Sequence, residues 1–229
     1  MKISFTLLLL FAIGVSCSKN DDDDCGAPAQ AKSENFLESM SVGDKFYYSL
    51  LLGENYFEGS ESEYYYTGDT LELEVLQVTT AGTVISQKIT DGSQMVSNPD
   101  FYYWQRDSVY VNTWKIEGDS LFIESDGPYY SNHLLSNSRL KFSDYTEDEV
   151  EIIGCCTSYD HSEQNAQLYA TSYTLFGHNY DSLSVYIYNE PMSYDGNGST
   201  AVYSKSHGVV RASTYGSWSP IVYGWDRIW

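Results

Sequence analysis

Short segments in which apolar and polar residues alternate dominate the chain from about residue 45 onward. The clearest is Thr70–Thr79, where apolar side chains and glutamates take alternate positions: Leu71, Glu72, Leu73, Glu74 and Val75. This two-residue period is typical of a strand with one buried face. Ala81-Gly82 then provides a turn before the next such segment, Thr83–Thr90. The two segments therefore predict a β-hairpin.

Similar segments continue to the C-terminus. We predict further strands at Lys45–Leu52, within Tyr56–Thr67, and at Val109–Ile116, Leu121–Ser125, Arg139–Phe142, Glu149–Ile153, Gln167–Phe176, Leu183–Asn189, Thr200–Ser204, Val209–Ser213 and Ile221–Ile228. The segments Arg139–Phe142 and Glu149–Ile153 are expected to pair. Turns are predicted at Gly68-Asp69, Gly118-Asp119, Gly177–Asp181 and Asp195–Gly198. Roughly twelve short strands joined in this way predict an all-β fold: an antiparallel barrel, a half-barrel or a sandwich.

One short helix is expected before the first strand. Ser33 can act as its N-cap, and Phe36, Leu37 and Met40 fall on one side of a helix over residues 33–41. No proline-rich or glycine-serine linker interrupts the sequence after residue 40. Residues 34–229 are therefore expected to form a single β domain.

The first sixteen residues have the pattern of a lipoprotein signal peptide. Lys2 gives a positive start, Ile3–Ile13 is an apolar run, and small residues lead to Cys17. The apolar run is too short to span a bilayer as a helix. Gly14–Cys17 resembles a bacterial lipobox, which implies cleavage before Cys17 and a lipid on its thiol. The alternative is a plain secretory signal followed by a chance cysteine.

Residues 17–33 are expected to form a lipidated acidic tether. Asp21–Asp24 is a run of four aspartates, which repel one another and cannot enter a core. Cysteine, serine and then a short acidic run is similar to the surface-export signal of Bacteroidota outer-membrane lipoproteins. That resemblance covers about the first 24 residues and implies a lipid-anchored outer-membrane protein that faces the cell exterior. A solvated spacer without an address is the alternative.

A second resemblance lies near the C-terminus. Tyr203–Val210 places a tyrosine and a serine before a turn and Gly-Val-Val after it. This segment resembles a closing hairpin of exported lipoproteins of the LolA-like half-barrel group. The match covers about eight residues and carries over no catalytic residue. It implies a curved sheet with an apolar concave face.

Net charge limits the partners of this protein. The chain has 12 Lys+Arg and 32 Asp+Glu, a formal net charge of −20. Removal of residues 1–16 would take away Lys2 and no acidic residue, so the net charge of the mature chain would be more negative still. Nucleic acid and anionic lipid headgroups need basic patches. We therefore expect no nucleic-acid partner, and contact with the membrane only through lipid on Cys17.

Aromatic residues provide the main indication of binding. The chain contains 22 Tyr, 9 Phe and 5 Trp, often in consecutive groups. Neighbouring residues on a strand point to opposite faces, so some rings must lie outside the main core or line a second apolar space. Exposed rings can stack on sugars or hold apolar ligands. The alternative is that tyrosines simply cover a sheet that is poor in lysine. The candidate ligand-binding residues are Tyr64, Tyr65, Tyr66, Tyr102, Tyr103 and Trp104.

Three cysteines besides Cys17 leave the disulfide pattern open. Cys25 can pair with Cys155 or Cys156, or the last two can form a strained vicinal bridge. A buried free pair is the further alternative. Metal and cofactor sites are not expected, because the four histidines lack zinc-site spacing. A calcium loop that began at Asp195 would need an acid at its twelfth position, where Ser206 stands.

Paired acids supply the one enzymatic hypothesis. Glu72 with Glu74, or the run Glu147–Glu149, could serve glycoside hydrolysis, which uses two carboxyl groups about 5–9.5 Å apart. The alternative is a solvated strand face. The favoured hypothesis is a non-enzymatic binding module for a glycan, an apolar ligand or a partner protein. A surface glycoside hydrolase and a purely structural envelope lipoprotein are the other two.

Overall fold

The structure is a computed structural model that describes residues 35–54, 64–91, 109–125, 138–143, 145, 152–153, 156–157, 165–189, 197–216 and 221–228. A 3₁₀ helix spans Phe36–Ser39. Thirteen strands follow: β1 Lys45–Glu54, β2 Tyr64–Thr79, β3 Gly82–Asp91, β4 Tyr110–Glu117, β5 Ser120–Ser125, β6 Ser138–Lys141, β7 Ile152–Ile153, β8 Cys156–Thr157, β9 Asn165–Leu175, β10 His178–Asn189, β11 Asn197–Ser204, β12 Gly208–Gly216 and β13 Ile221–Arg227. The described residues contain no helix long and apolar enough to cross a membrane.

Eleven strands form one antiparallel sheet in the order β6-β5-β4-β3-β2-β1-β13-β12-β11-β10-β9, and β7 pairs with β8. The all-β prediction is confirmed, as a half-barrel. Two meanders meet at its centre, where β1 pairs with β13 and Leu50 lies opposite Trp225. The sheet curls until its edge strands approach each other. Gln167 Nε2 on β9 donates to the Lys141 carbonyl on β6 at 3.2 Å, and the Tyr203 hydroxyl donates to the same carbonyl.

The concave face of the sheet carries the larger apolar core. Its members come from strands on both sides of the β1–β13 pair, and Trp114 and Trp225 are the largest of them. Tyr48 lies in the same core and donates to the Val209 carbonyl at 2.7 Å. The curved sheet with an apolar concave face, which the C-terminal hairpin implied, is therefore present. Its own side chains fill it.

A second apolar core lies on the other face of strands β9 to β12. The pairing register places Leu168, Val185, Val202 and Arg211 in one row across these strands, and the first three belong to this core. A second apolar space of the kind expected for rings outside the main core is therefore present, and two tyrosines, Tyr173 and Tyr180, belong to it or pack against it. The end of the β9–β10 hairpin also reaches distant strands, because Tyr173 contacts Arg211 on β12.

The 3₁₀ helix closes one end of the concave core. Phe36 N donates to the Lys205 carbonyl at 2.9 Å, which fixes the helix to the β11–β12 turn. The Phe36 ring packs edge-on against Trp114, with the ring centroids 6.2 Å apart. A Cβ atom at Gly208 would lie 2.6 Å from this ring, so the close approach requires a glycine. The helix is shorter than predicted, and its N-cap is Asn35 rather than Ser33.

Several predicted turns and pairings are wrong. Gly68-Asp69 does not end a strand, because β2 continues through it as a bulge opposite β1. Gly68 takes a φ of +88°, and the backbone N of Asp69 donates to Thr67 Oγ1, so the extra residues are accommodated locally. The β9–β10 loop is Phe176-Gly177 alone, and His178 already lies in β10. Strand β6 pairs with β5, and Ile152–Ile153 pairs with β8.

Candidate functional site

Three aromatic rings form an exposed surface that we call the aromatic ledge: Tyr64, Tyr66 and Phe176. Tyr64 and Tyr66 share one face of β2, and their rings meet edge-to-face with centroids 6.1 Å apart. Phe176, in the β9–β10 turn, packs on Tyr66 with centroids 4.7 Å apart. Tyr64 is 44% exposed and Phe176 is 42% exposed. The ledge therefore presents aromatic faces from two distant parts of the chain.

A buried charge cluster holds the central ring of the ledge. The Tyr66 hydroxyl donates to Asp226 Oδ2 at 2.8 Å. Arg211 binds the same carboxylate in bidentate fashion, with Nε to Oδ1 at 2.6 Å and Nη2 to Oδ2 at 2.5 Å. Arg211 Nη2 also donates to the Tyr173 hydroxyl at 2.8 Å. Because Arg211 and Asp226 are almost completely buried, the ring of Tyr66 has a fixed orientation.

The protonation states of this cluster follow from burial and charge. Burial raises the pKa of Tyr66, and the Asp226 carboxylate raises it further, so the phenol keeps its proton. Burial alone would lower the pKa of Arg211, but the carboxylate of Asp226 outweighs burial and raises it. The cluster is therefore a neutral phenol and a guanidinium around one carboxylate. This arrangement fixes the positions of the Tyr66 ring and the Arg211 guanidinium.

Phe176 is held in an unfavourable backbone conformation. The two-residue turn places Phe176 at φ +49° and Gly177 at φ +79°, as in the turn type that favours Asn-Gly. A bulky residue at positive φ costs on the order of 1–3 kcal/mol. The same turn places the Phe176 ring against Tyr66, where it extends the ledge.

A cleft of about 250 Å³ lies at the end of the sheet that the 3₁₀ helix covers. The 3₁₀ helix, the start of β1, the β11–β12 turn and the end of β13 form its walls. Phe36, Met40 and Phe46 give it an apolar side. Three basic residues also line it: Lys45, His207 and Arg227. We call this space the basic cleft.

Ion pairs and stacking hold the basic side chains of the cleft in place. The guanidinium carbon of Arg227 lies 4.9 Å from the centroid of the Phe46 ring, and Arg227 Nη1 donates to the His207 carbonyl. Lys45 Nζ lies 2.9 Å from Glu72 and 3.5 Å from Glu74. The hydrogen bond that Lys45 donates to Glu72 raises the pKa of Lys45, so this ammonium stays charged at neutral pH. Asp44 is the acid that lines the cleft.

A smaller space of about 10 Å³ adjoins the cleft and shares five of its lining residues: Phe36, Met40, Phe46, His207 and Arg227. Trp114 lines this inner space as well. The indole Nε1–H of Trp114 is buried and has no hydrogen-bond acceptor in the described part of the chain. A volume near 10–15 Å³ is about the minimum that holds one water molecule. The inner space therefore fits a single acceptor atom or a water.

The paired acids occupy a solvent-facing position. Glu72 and Glu74 lie on β2 and both bind Lys45 on β1, and neither glutamate lines the basic cleft. The run Glu147–Glu149 lies outside the described residues. Among the residues that are described, no three His, Cys, Asp or Glu side chains are grouped so as to hold a metal ion.

The other candidate residues have different placements. Tyr65 is 54% exposed, and as the neighbour of Tyr64 and Tyr66 it points to the opposite face of β2. Tyr102, Tyr103 and Trp104 lie outside the described residues, as do Cys17, Cys25 and Cys155 and the whole segment 1–34. Cys156 lies in β8, but its side chain is not described. The disulfide prediction therefore stays a prediction.

Sequence reasoning missed three parts of these sites. Phe176 joins the ledge only through tertiary contact, and its one local signal is its position before Gly177 in a turn. Arg211 and Asp226 alternate with residues of the concave core on their strands, so the pattern alone indicates a polar outer face. Lys45, His207 and Arg227 are separated by up to 182 positions in the sequence. The scarcity of basic residues in this acidic chain is the signal that could have drawn attention to them.

Comparisons with known proteins add little to this description. No protein-family model and no curated protein matches the chain. Among solved structures, a DUF1329 family protein from Desulfovibrio piger is similar at 6% identity and a TM-score of 0.23, over 83% of this chain and 86% of that one. At this TM-score the similarity carries no argument about fold or function.

Proposed function

We propose that this chain is a non-enzymatic binding module that takes a glycan on the aromatic ledge. The observation that carries the proposal is the exposed, fixed arrangement of Tyr64, Tyr66 and Phe176. Sugar rings have apolar faces that stack on aromatic rings, and their hydroxyls remain in water beside them. A rigid aromatic platform is suited to such a ligand because little side-chain entropy is lost on binding.

The strained turn supports this use of Phe176. Asparagine would fit its positive φ better than phenylalanine does, so the turn conformation alone gives no reason for an aromatic residue there. The ring is 42% exposed, so the core gains only part of its area. An exposed ring kept at a conformational cost is reasonable where the ring itself makes the contact with a ligand.

Two other ligand classes have less support. An apolar ligand inside the half-barrel would compete with Trp114, Trp225 and Tyr48, which fill the concave face. A polyanionic ligand would be repelled by a chain of net charge −20. A neutral glycan meets neither obstacle.

We further propose that the domain acts at the outer surface of an outer membrane. Cys17 would carry the lipid and residues 17–33 would form the acidic tether, as in Bacteroidota surface lipoproteins. The support is the signal-like segment before Cys17 and the four aspartates behind it. A lipid-anchored binding module would hold glycans close to the cell that displays it.

Removal of either outer ring of the ledge is expected to weaken glycan binding. Tyr64→Ala and Phe176→Asn should each reduce affinity by roughly ten- to hundredfold, because burial of an aromatic side chain contributes about 1.5–3 kcal/mol. Neutral glycans selected on an array with the full chain would be measured by isothermal titration calorimetry. Asn at position 176 fits the turn, so Phe176→Asn should keep its unfolding temperature within a few degrees.

Tyr65→Ala is the matched control for the ledge. It removes an exposed ring from the same segment but from the opposite face of β2, so glycan affinity should stay within about twofold, below 0.5 kcal/mol. Equal losses for Tyr65→Ala and Tyr64→Ala would contradict a ligand on the ledge. So would a Phe176→Asn variant that folds normally and binds as tightly as the parent.

Lipidation at Cys17 is tested independently of binding. Mass spectrometry of the expressed parent should show an acylated chain that begins at Cys17, and Cys17→Ala should remove the acyl groups and release the protein from membranes. Protease treatment of intact cells should digest the parent. Replacement of Asp21–Asp24 with alanine should reduce that exposure but keep the lipid. An acylated Cys17→Ala product would show that the assignment is wrong.

A further inference from the structure

We propose that the basic cleft is a second binding site, separate from the ledge, that takes a small organic carboxylate. The cleft is about 250 Å³, which is below the roughly 300–1,000 Å³ of pockets for drug-sized molecules. It therefore fits a single small molecule or the end group of a longer one. This proposal does not depend on the function proposed for the ledge.

The charge of the lining selects the ligand class. The chain has only 12 Lys+Arg among its 229 residues, yet Lys45 and Arg227 both line this one cleft together with His207. Because Glu72 and Glu74 already pair with Lys45, Arg227 is the principal group for an anion and Lys45 adds to it. Arg227 is planar and donates through a fixed fork, which suits the two oxygens of a carboxylate. Asp44 also lines the cleft, and the backbone N of Ser41 donates to its Oδ2 at 2.7 Å. That hydrogen bond partly offsets the effect of its charge on an anion.

The fixed position of Arg227 strengthens the assignment. Its guanidinium stacks on Phe46 and donates to the His207 carbonyl, so two walls of the cleft hold it. A side chain that is already ordered loses little entropy when a ligand binds. The apolar side, formed by Phe36, Met40 and Phe46, would contact the carbon skeleton of the ligand.

The inner space supplies a second, independent observation. Trp114 is 2% exposed, and its Nε1–H has no acceptor in the described part of the chain. A buried donor without an acceptor is unfavourable, because it has lost its hydrogen bond to water and gained none in the protein. An oxygen atom that enters the inner space, from the ligand or from a water that bridges to it, would supply an acceptor close to this indole.

Two sources share this chemistry: the carboxylate of an acidic sugar and that of a free aliphatic acid. The experiment titrates the full chain with glucuronate, hexanoate and glucose and follows backbone amide resonances by NMR. We expect glucuronate or hexanoate to shift the resonances of Lys45, His207 and Arg227. The carboxylate should bind up to about fivefold more tightly than glucose, since one exposed charge contact contributes up to about 1 kcal/mol. A response to glucuronate alone assigns an acidic sugar, and a response to hexanoate alone assigns an aliphatic acid.

Lys45→Gln is the principal variant, and Lys115→Gln is its matched control. Lys115 Nζ also lies beside two glutamates, Glu117 and Glu124, at 3.4 and 2.8 Å, but it does not line the cleft. Lys45→Gln should weaken carboxylate binding about threefold or more, and Lys115→Gln should leave it unchanged. Trp114→Phe, which keeps a ring but removes the donor, should also weaken binding.

Three results would overturn the proposal: no carboxylate shifts the cleft resonances, glucose shifts them equally well, or the two lysine variants behave alike. His207→Gln is a second variant of the same cleft, for use if the Lys45 variant misfolds. It changes another lining side chain and leaves the backbone contacts of its turn in place. Tyr64→Ala should retain carboxylate binding. Failure of the cleft is therefore distinguishable from failure of the ledge.

Discussion

Asp226→Ala is expected to lower the free energy of unfolding by about 3–5 kcal/mol. Asp226 is 0% exposed and accepts two hydrogen bonds from Arg211, which is 1% exposed. Removal of the carboxylate would take away the opposite charge that the buried guanidinium binds in this cluster. Tyr66 would lose its acceptor at the same time. The cost is therefore that of an uncompensated buried cation, which is larger than the net contribution of the ion pair.

Urea unfolding at neutral pH measures this effect, and two controls define it. The double variant Arg211→Met/Asp226→Leu removes both charges, so it should lose clearly less stability than Asp226→Ala. Lys115→Ala breaks an exposed ion pair and should cost far less stability than Asp226→Ala. A loss below about 1 kcal/mol for Asp226→Ala would mean that water reaches Arg211 and that the cluster is not buried as described.

Local pattern was sufficient to predict the hairpins of this fold. The alternation in Thr70–Thr79 and the turn at Ala81-Gly82 give the β2–β3 hairpin, since both strands and their connection lie within about 20 residues. The β4–β5 and β11–β12 hairpins follow for the same reason. Each hairpin has a two-residue period, a glycine at the turn and strands close in sequence, so only a few pairing registers are possible.

Longer-range pairing could not be predicted in this way. The central pair places Tyr48 opposite Arg227, and no local signal joins strands so far apart. The alternation also cannot distinguish a half-barrel from a sandwich, because each needs one buried face per strand. The turn predicted at Gly68-Asp69 is wrong because a glycine followed by an acid is typical of a turn and equally of a bulge. Which one forms depends on whether β1 lies alongside.

In the candidate sites, too, local features could be predicted and long-range contacts could not. The two-residue period of a strand predicts that Tyr64 and Tyr66 share a face. The exposure of Tyr64 and Tyr65 confirms the prediction that some rings lie outside the main core. Phe176 reaches Tyr66 only because the β9–β10 hairpin extends toward β2. The carboxylate that fixes Tyr66 comes from Asp226, 160 positions away. Side chains that act together across a sheet cannot be grouped before the order of its strands is known.

Stability is expected to fall steeply above pH 10, because the buried tyrosines Tyr48 and Tyr203, like Tyr66, resist ionisation in the folded protein. Burial raises the pKa of Tyr48 to about 12, although nearby Arg227 opposes the change. Burial also raises the pKa of Tyr203 above its ordinary value. In the unfolded chain both phenols lose their protons near pH 10. The folded state then binds more protons than the unfolded state, so the free energy of unfolding decreases as pH rises through this window.

Tyr48 and Tyr203 should each contribute about 1.4 kcal/mol of lost stability per pH unit between pH 10 and pH 12, so that these two alone give nearly 3 kcal/mol per unit. Below about pH 9 both groups are protonated in either state, and they contribute no slope. Urea unfolding at half-unit intervals from pH 8 to pH 12 measures the dependence. Tyr48→Phe should reduce the slope by about 1.4 kcal/mol per pH unit, the contribution of one proton. The substitution also removes the hydrogen bond from Tyr48 to the Val209 carbonyl, which lowers the free energy of unfolding by about 1 kcal/mol at every pH. An unchanged slope in Tyr48→Phe would show that Tyr48 ionises as readily in the folded protein as in the unfolded chain, which is incompatible with its burial in the concave core.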